Sequence, residues 1–205
     1  MKKLLSLMAV SLFCFIGSAN AQKTHVSKTQ MPYVEFGLKA GLNVTDIHGP
    51  TTSFDTKVSA FGGGLAHIHL SEQIAVQPEL VYSGQGAKQG IGGSKFTFRL
   101  NYINVPLLFQ YMILDGLRLQ TGPQLGLLLS ARIKSENNTT SDIKDKYSTA
   151  DFAWIFGAGY LFPSGFGFDA RYNLGISNIN VVGDYNRNKL QNRVFQLGIF
   201  YQFVR

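Results

Sequence analysis

A set of acidic and basic side chains is spaced so that it could occupy one enclosed space. Glu35 and Lys39 are separated by an even number of positions, and so are Asp169 and Arg171. Residues at even spacing along a β-strand point to the same face, and buried charges are tolerated when they are paired and hydrogen-bonded. The sequence therefore predicts a polar network in which acids meet bases. Its predicted members are Glu35, Lys39, Glu79, Arg118, Asp169 and Arg171.

Two histidines have a spacing that a metal ion could use. His67 and His69 would point to the same side of a strand. A protein metal site needs at least a third ligand, and no third ligand is evident for this pair. We therefore interpret both histidines as ordinary polar residues, and we predict no metal and no other cofactor.

Hydrolysis is the other chemistry to weigh. Ser83, His69 and Glu79 can be arranged on paper as a Ser-His-acid triad, but any sequence with this many serines allows such an arrangement. The sequence has no Gly-x-Ser-x-Gly elbow, and the glycines between Gly84 and Gly93 lack the spacing of a phosphate-binding loop. The sequence therefore predicts no catalytic residues and a protein that is not an enzyme.

The segments that must position these side chains alternate between apolar and polar residues. Over residues 166–173, the phenylalanines, Ala170 and Tyr172 alternate with Gly167, Asp169, Arg171 and Asn173. Residues 195–203 repeat the pattern with a large apolar side chain at every second position. A soluble sandwich would bury the apolar face, whereas a membrane barrel turns that face toward lipid and encloses the polar one.

The N-terminus indicates export. Residues 1–21 contain two lysines, an apolar run and the small-residue sequence Ala19-Asn20-Ala21, which together are typical of a cleaved secretory signal peptide. Nothing later in the chain supplies about 20 uninterrupted apolar residues for a membrane-spanning helix. The single cysteine, Cys14, lies within the signal, so the mature chain has no disulfide. We expect residues 1–21 to be the signal peptide, 22–32 a short polar lead-in and 33–205 the barrel domain.

Eight segments have the composition and period of strands, and short connections alternate with long ones between them. This alternation is typical of outer-membrane barrels with short periplasmic turns and long external loops. The sequence thus predicts an all-β fold, an eight-stranded antiparallel up-and-down transmembrane β-barrel. In the fourth strand the apolar face changes near Tyr102, which predicts a β-bulge there. The predicted strands are Tyr33–Asn43, Lys57–Leu70, Ile74–Gly84, Lys95–Met112, Leu117–Ala131, Asp151–Leu161, Gly165–Gly175 and Arg193–Phe203.

Four stretches of these strands resemble a known family. They are Gln77–Ser83 (QPELVYS), Asn104–Tyr111 (NVPLLFQY), Thr121–Leu129 (TGPQLGLLL) and Gly165–Asn173 (GFGFDARYN). They resemble the outer-membrane β-barrel domain called PorT-like or porin-family. The resemblance implies a small eight-stranded barrel in the outer membrane of a Gram-negative-type bacterium, placed there by the barrel-insertion machinery. The family name also implies a possible secretion-system partner, which we do not assign to this chain.

The interior of an eight-stranded barrel is just filled by side chains, so the polar network admits two functions. One is a polar plug in a barrel with a structural or surface-interaction role, and the other is a narrow, porin-like path for ions or small solutes. We favour the plug. An outer-membrane enzyme ranks third.

The predicted external loops carry basic residues that could pair with the phosphates of outer-membrane lipids. The same residues could equally serve only to keep the loops solvated. The net charge of +7 is poor support for nucleic-acid binding, because no basic cluster with interleaved aromatic residues accompanies it. We therefore expect lipids, and an unknown extracellular partner, rather than nucleic acid. The candidate lipid-phosphate contacts are Lys88, Lys95, Arg187, Lys189 and Arg193.

Overall fold

The alternating segments form antiparallel strands in the computed structural model, which describes residues 32–48, 55–91, 94–135, 139–180 and 190–203. The predicted signal peptide and nearly all of the lead-in lie outside these residues. A short 3-10 helix covers Lys144–Lys146. The strands are β1 (Tyr33–His48), β2 (Lys57–His69), β3 (Ile74–Ile91), β4 (Ser94–Leu114), β5 (Leu117–Ser135), β6 (Thr140–Asp142), β7 (Ala150–Leu161), β8 (Phe166–Gly175) and β9 (Gln191–Gln202).

Eight of the strands close into a barrel. Each pairs antiparallel with its neighbours in the order β1, β2, β3, β4, β5, β7, β8, β9, and β9 pairs with β1 to complete the ring. The short strand β6 pairs with the far end of β5 and is not part of the ring. The prediction of an eight-stranded antiparallel barrel is therefore confirmed. Closure matters because it leaves no unpaired strand edge in the wall.

Neighbouring residues of each strand face opposite sides of the barrel wall. Leu38 is 61% exposed while Lys39 is 4% exposed, and Phe168 is 50% exposed while Asp169 is 3% exposed. Apolar side chains thus point outward and charged ones inward, which is the arrangement that suits a hydrocarbon surrounding. Within the described residues, no helix is both long and apolar enough to cross a membrane.

The two ends of the barrel differ in their connections. We call the end with the short connections at residues 70–73, 115–116 and 162–165 the turn end, and the opposite end the loop end. Two strands extend farther toward the loop end than the sequence predicts. Strand β1 continues to His48 instead of ending at Asn43, and β5 continues to Ser135 instead of ending at Ala131.

The segment from Gln85 to Ser94, which separates the third and fourth predicted strands, is expected from the sequence to be a loop. This prediction is wrong. In that stretch β3 and β4 stay paired as far as Ile91 and Ser94, so they form a hairpin that projects from the barrel. Gly84, Gly86 and Gly90 lie within this ladder, and Gly92 and Gly93 lie outside the described residues. Gly86 has φ +124° and lies so close to the Phe98 carbonyl that only a residue without Cβ fits.

The irregularity predicted near Tyr102 is present, but the additional residue belongs to β5. Asn101 pairs with Ser130 and Tyr102 pairs with Leu128, which leaves Leu129 as the bulged residue. The inward face of β4 itself alternates without interruption through Tyr102. The apolar residues change face in β4 because the loop end of the barrel has an apolar interior.

Candidate functional site

A charged cluster crosses the middle of the barrel interior. The Arg171 guanidinium on β8 donates from Nη1 and Nη2 to the two Glu79 carboxylate oxygens on β3, each at 2.8 Å. Strands β3 and β8 are diametrically opposite in the ring. This bidentate pair therefore spans the full width of the lumen. Arg171 Nη2 also lies 2.8 Å from Asp169 Oδ2.

Lys39 completes the cluster from the wall of β1. Its Nζ donates to Asp169 Oδ2 at 3.0 Å and lies 3.4 Å from Glu79 Oε2. The ammonium is also 5.5 Å from the centre of the Phe61 ring. Two cations and two anions thus balance, and none is more than 4% exposed. We call Lys39, Glu79, Asp169 and Arg171 the charged barrier.

Glycines on the inner wall provide the room that these long side chains need. A Cβ at Gly198 would lie 2.5 Å from Asp169 Oδ1, and one at Gly157 would lie 2.8 Å from Arg171 Cγ. Both distances are too short for a real Cβ. At this level of the interior, long charged side chains therefore pack against bare backbone.

The other two members of the predicted network lie nearer the turn end and do not join the charged barrier. Arg118 donates to the side-chain oxygens of Gln110 at 3.3 Å and Gln202 at 3.2 Å, and its guanidinium covers the Phe200 ring at 5.1 Å. Glu35 Oε2 lies 3.7 Å from His69 Nε2. The structure thus brings four of the predicted charges together and gives Arg118 amide and aromatic partners instead of a carboxylate.

The histidines and Ser83 have ordinary structural contacts. His67 Nδ1 is 3.1 Å from Gln77 Oε1, and the His67 and His69 rings meet edge to face at 4.3 Å. Among the described residues, no group of three or more histidine, cysteine, aspartate or glutamate side chains could hold a metal. Ser83 lies halfway along β3 and accepts a hydrogen bond from Asn43, whereas His69 pairs with the start of β3, so the two do not meet.

An apolar cluster fills the loop end of the interior. Ile179, in the segment after β8, packs there against residues from β1, β3, β4 and β5, and it is fully buried. Tyr147, from the segment after the 3-10 helix, packs on the cluster from outside, and burial raises the pKa of its hydroxyl to about 12. We call the buried members of this apolar cluster the apolar barrier. They are Ile47, Ala87, Leu100, Tyr102, Leu128, Ala131 and Ile179.

The apolar barrier is not among the sequence-based predictions, although β4 carries a signal for it. Leu100 and Tyr102 share a strand face with the inward Asn104. An apolar filling of the barrel at that level explains this pattern without a bulge in β4.

A hydrogen-bonded group holds the segment after β8 to the barrel mouth. Ser177 Oγ donates to Asp151 Oδ1 at 2.6 Å, and Asn192 Nδ2 donates to Asp151 Oδ2 at 2.8 Å. Asn192 Nδ2 also lies 3.3 Å from the Tyr102 hydroxyl. Because Ile179 is two residues beyond Ser177, these bonds position it over the lumen.

Neutral polar side chains separate the two barriers. Asn43 Nδ2 donates to Ser83 Oγ at 2.9 Å and Gln196 Nε2 donates to Asn43 Oδ1 at 2.8 Å. The amide groups of Asn104 and Asn173 are buried, and their nitrogen and oxygen atoms have no hydrogen-bond partner among the described residues. Buried amides of this kind are commonly satisfied by internal water.

The basic residues predicted to contact lipid phosphates are dispersed. Lys88 and Lys95 are exposed on the hairpin of β3 and β4. Arg193 lies at the loop end of β9, on its outward face. Arg187 and Lys189 lie outside the described residues.

Comparisons with known proteins agree with this architecture. The model of a family described as outer membrane protein beta-barrel domain matches residues 20–181. The fold is similar to that of Ail, the attachment invasion locus protein of Yersinia pestis, with a TM-score of 0.53 and 15% identity over 82% of this chain and 98% of Ail. It is also similar to Neisserial surface protein A, with a TM-score of 0.54 and 13% identity over 82% of this chain and 97% of that one. Identities this low show a shared fold only. No curated protein sequence matches significantly.

Proposed function

Because this chain belongs to the outer membrane protein beta-barrel domain family, we propose that it is a closed, non-enzymatic barrel that serves at the cell surface as a structural or interaction protein. Residues 33–205 form the barrel domain, residues 22–32 a short lead-in, and residues 1–21 a signal peptide that is removed on export. The loop end faces outward and the turn end faces the periplasm, as is usual for barrels whose connections alternate in length.

The observation that carries this proposal is that two different barriers lie in series along the lumen. The Arg171 and Glu79 side chains meet across its full width, and Ile179 closes the apolar barrier at the mouth. An ion crossing the first barrier would have to displace a paired, hydrogen-bonded charge, which costs several kcal/mol in a buried site. At the second barrier it would have to shed its water against apolar side chains, as in pores that close by dewetting.

A closed lumen leaves the surfaces as the working part of the molecule. The outward faces of the strands meet lipid, and the loop end presents the hairpin of β3 and β4, strand β6 and the 3-10 helix to the exterior. We therefore propose outer-membrane lipids and an extracellular or secretion-related partner as the contacts of this protein, after insertion by the barrel-insertion machinery.

A narrow channel for ions or small solutes is the second candidate function. It is favoured by one observation, the unpartnered buried amides of Asn104 and Asn173 between the two barriers. Water at this level would form part of a conducting path if the apolar barrier opened. The segment held by Asp151 would then act as the gate.

Uptake of small neutral solutes into vesicles separates these functions. Purified protein is inserted into liposomes, and swelling is recorded in glycine and in arabinose. A closed barrel gives the swelling rate of protein-free liposomes. Swelling that falls with increasing solute size would favour the channel. A variant with Leu100→Ala and Tyr102→Ala serves as a comparison, because the charged barrier should still prevent swelling when only the apolar barrier is reduced.

A further inference from the structure

A pair of arginines lies on the outward face of β4 and β5 near the loop end, and neither is among the predicted site residues. Arg99 on β4 and Arg132 on β5 are direct cross-strand partners. Both are exposed, and their neighbours Leu100 and Ala131 are fully buried on the opposite face. The two guanidinium groups therefore project from the same side of the sheet, away from the lumen.

The arginine pair lies just beyond the apolar surface that faces lipid. Toward the turn end, the next outward pair is Asn101 and Ser130, whose side chains share a hydrogen bond of 3.0 Å. Outward positions closer to the turn end are apolar: Leu127 is 39% exposed and Val105 is also 39% exposed. One polar pair thus separates the guanidinium groups from the apolar band. The arginines therefore lie at the depth of the lipid headgroups.

The described residues provide little to neutralise this pair. Like charges directly opposite on a sheet are destabilising. Within the residues that the structure describes, neither Arg99 nor Arg132 has a hydrogen bond or an ion pair from its side chain. The nearest acid in the strand register is Asp142, opposite Arg132 on β6, and its Oδ1 accepts a hydrogen bond from the Lys144 backbone N–H.

Further cations extend the same outward face. Lys134 and Lys88 flank Thr97 in the next row toward the loop end. Asp55 pairs with Lys88 through its backbone in an isolated bridge, so one more acid is present, but among the residues described in this patch the cations remain in excess. Arg99 and Arg132 are the members of this group nearest to the apolar band. An anion from outside the chain would neutralise a like-charge pair at this depth.

We propose that Arg99 and Arg132 bind a phosphate group of an outer-leaflet lipid headgroup. Two planar guanidinium groups side by side can donate several charge-assisted hydrogen bonds to one phosphate and can contact more than one of its oxygens. This inference rests on the proposed outward orientation of the loop end. It does not depend on whether the lumen is closed.

The test compares two lipids and two variants. Detergent-solubilised protein is titrated with diphosphoryl lipid A and with the same lipid from which both phosphates have been removed. The test variant carries Arg99→Gln and Arg132→Gln. The control variant carries Lys144→Gln and Lys146→Gln, which removes the same charge from exposed residues of the 3-10 helix.

We expect wild-type protein and the control variant to bind the phosphorylated lipid equally, and the arginine variant to bind it about 10- to 30-fold more weakly. Inorganic phosphate at millimolar concentration should not compete, because the proposed ligand is a headgroup held at the lipid boundary. Equal weakening in both variants would reduce the effect to general charge attraction and overturn the proposal. If the arginine variant does not fold, the affinities of wild-type protein for the two lipids test the proposal instead. Equal affinities for the phosphorylated and the dephosphorylated lipid would also overturn the proposal.

Two separate measurements distinguish this proposal from the outward orientation on which it rests. Binding to solubilised protein does not require a membrane, whereas orientation is measured in intact cells. If the protein binds both lipids equally while its loop end faces outward in cells, the phosphate site is refuted and the proposed orientation is not.

Discussion

Arg171 and Glu79 join opposite walls of the barrel through two hydrogen bonds of 2.8 Å. The residues are far apart in sequence and come from strands that share no backbone pairing. The contact is therefore a strut across the lumen as well as an ion pair. Asp169 and Lys39 also contact this group. Under the proposed function, these four charges both stabilise the barrel and close its interior.

The first prediction concerns the energetic coupling of the strut. Arg171→Met leaves two buried carboxylates with a single lysine, and should lower the free energy of unfolding by about 3–5 kcal/mol. Adding Glu79→Gln should cost less than the sum of the separate changes, because the second substitution removes a charge that the first left unpaired. Urea unfolding in lipid vesicles measures all three variants. Strict additivity would mean that the two side chains do not interact.

The second prediction tests which face meets lipid. Phe168 is outward and half exposed, so Phe168→Lys should lower the free energy of unfolding in bilayers by about 1–4 kcal/mol, depending on depth. Ser164→Lys, in the exposed turn before β8, introduces the same charge outside the apolar band and should have almost no effect. If the two variants unfold at the same urea concentration, residue 168 does not face hydrocarbon.

The third prediction tests the packing of the lumen. Gly198→Ala would place a Cβ 2.5 Å from Asp169 Oδ1 and 3.0 Å from a Phe61 ring carbon, so it should cost about 1–3 kcal/mol through overpacking. Gly64→Ala is the matched control. Its Cβ would meet only the Gly37 carbonyl oxygen, at an ordinary 3.7 Å, and it should be neutral or slightly stabilising. Equal stability of both variants would indicate an interior wider than the structure has.

The fourth prediction concerns orientation. Lys144→Cys lies at the loop end and Ser164→Cys at the turn end, and both positions are exposed. The only native cysteine is Cys14, within the predicted signal peptide, so the background is low. A membrane-impermeant maleimide added to intact cells should label the Lys144→Cys variant alone, whereas lysed cells should give labelling of both. Labelling of only the Ser164→Cys variant in intact cells would reverse the proposed orientation.

The period of two explains why so much of the wall could be predicted. It assigns Asp169 inward and Phe168 outward without any knowledge of the partner strands, and the structure confirms both faces. It could not predict that Arg171 meets Glu79, because that contact depends on which strands lie opposite each other once the ring closes. Local sequence carries no information about the stagger between strands that sets this geometry.

The loop end was harder to predict because its residues obey a different rule. Beyond the lipid band, strand residues can be apolar inside and polar outside, as in a soluble sheet. Leu100 is inward and Arg99 outward for this reason, and the change of rule in β4 resembled a bulge. Glycines such as Gly86 predicted a loop where a paired strand with positive φ exists. The contribution of Ile179 could not be predicted, since it enters the lumen from a connection without a period.

Single-channel recording in a planar bilayer shows whether the lumen is closed. Wild-type protein, inserted from detergent in 1 M KCl, should produce no stepwise openings at moderate voltages. A variant that combines Lys39→Ala and Arg171→Ala with Leu100→Ala and Tyr102→Ala, and that still shows the heat-modifiable band of a folded barrel, removes side chains from both barriers and should conduct. Regular openings of the wild-type protein whose size or ion preference changes with Lys39→Ala alone would contradict closure, and would establish the lumen as a narrow ion path.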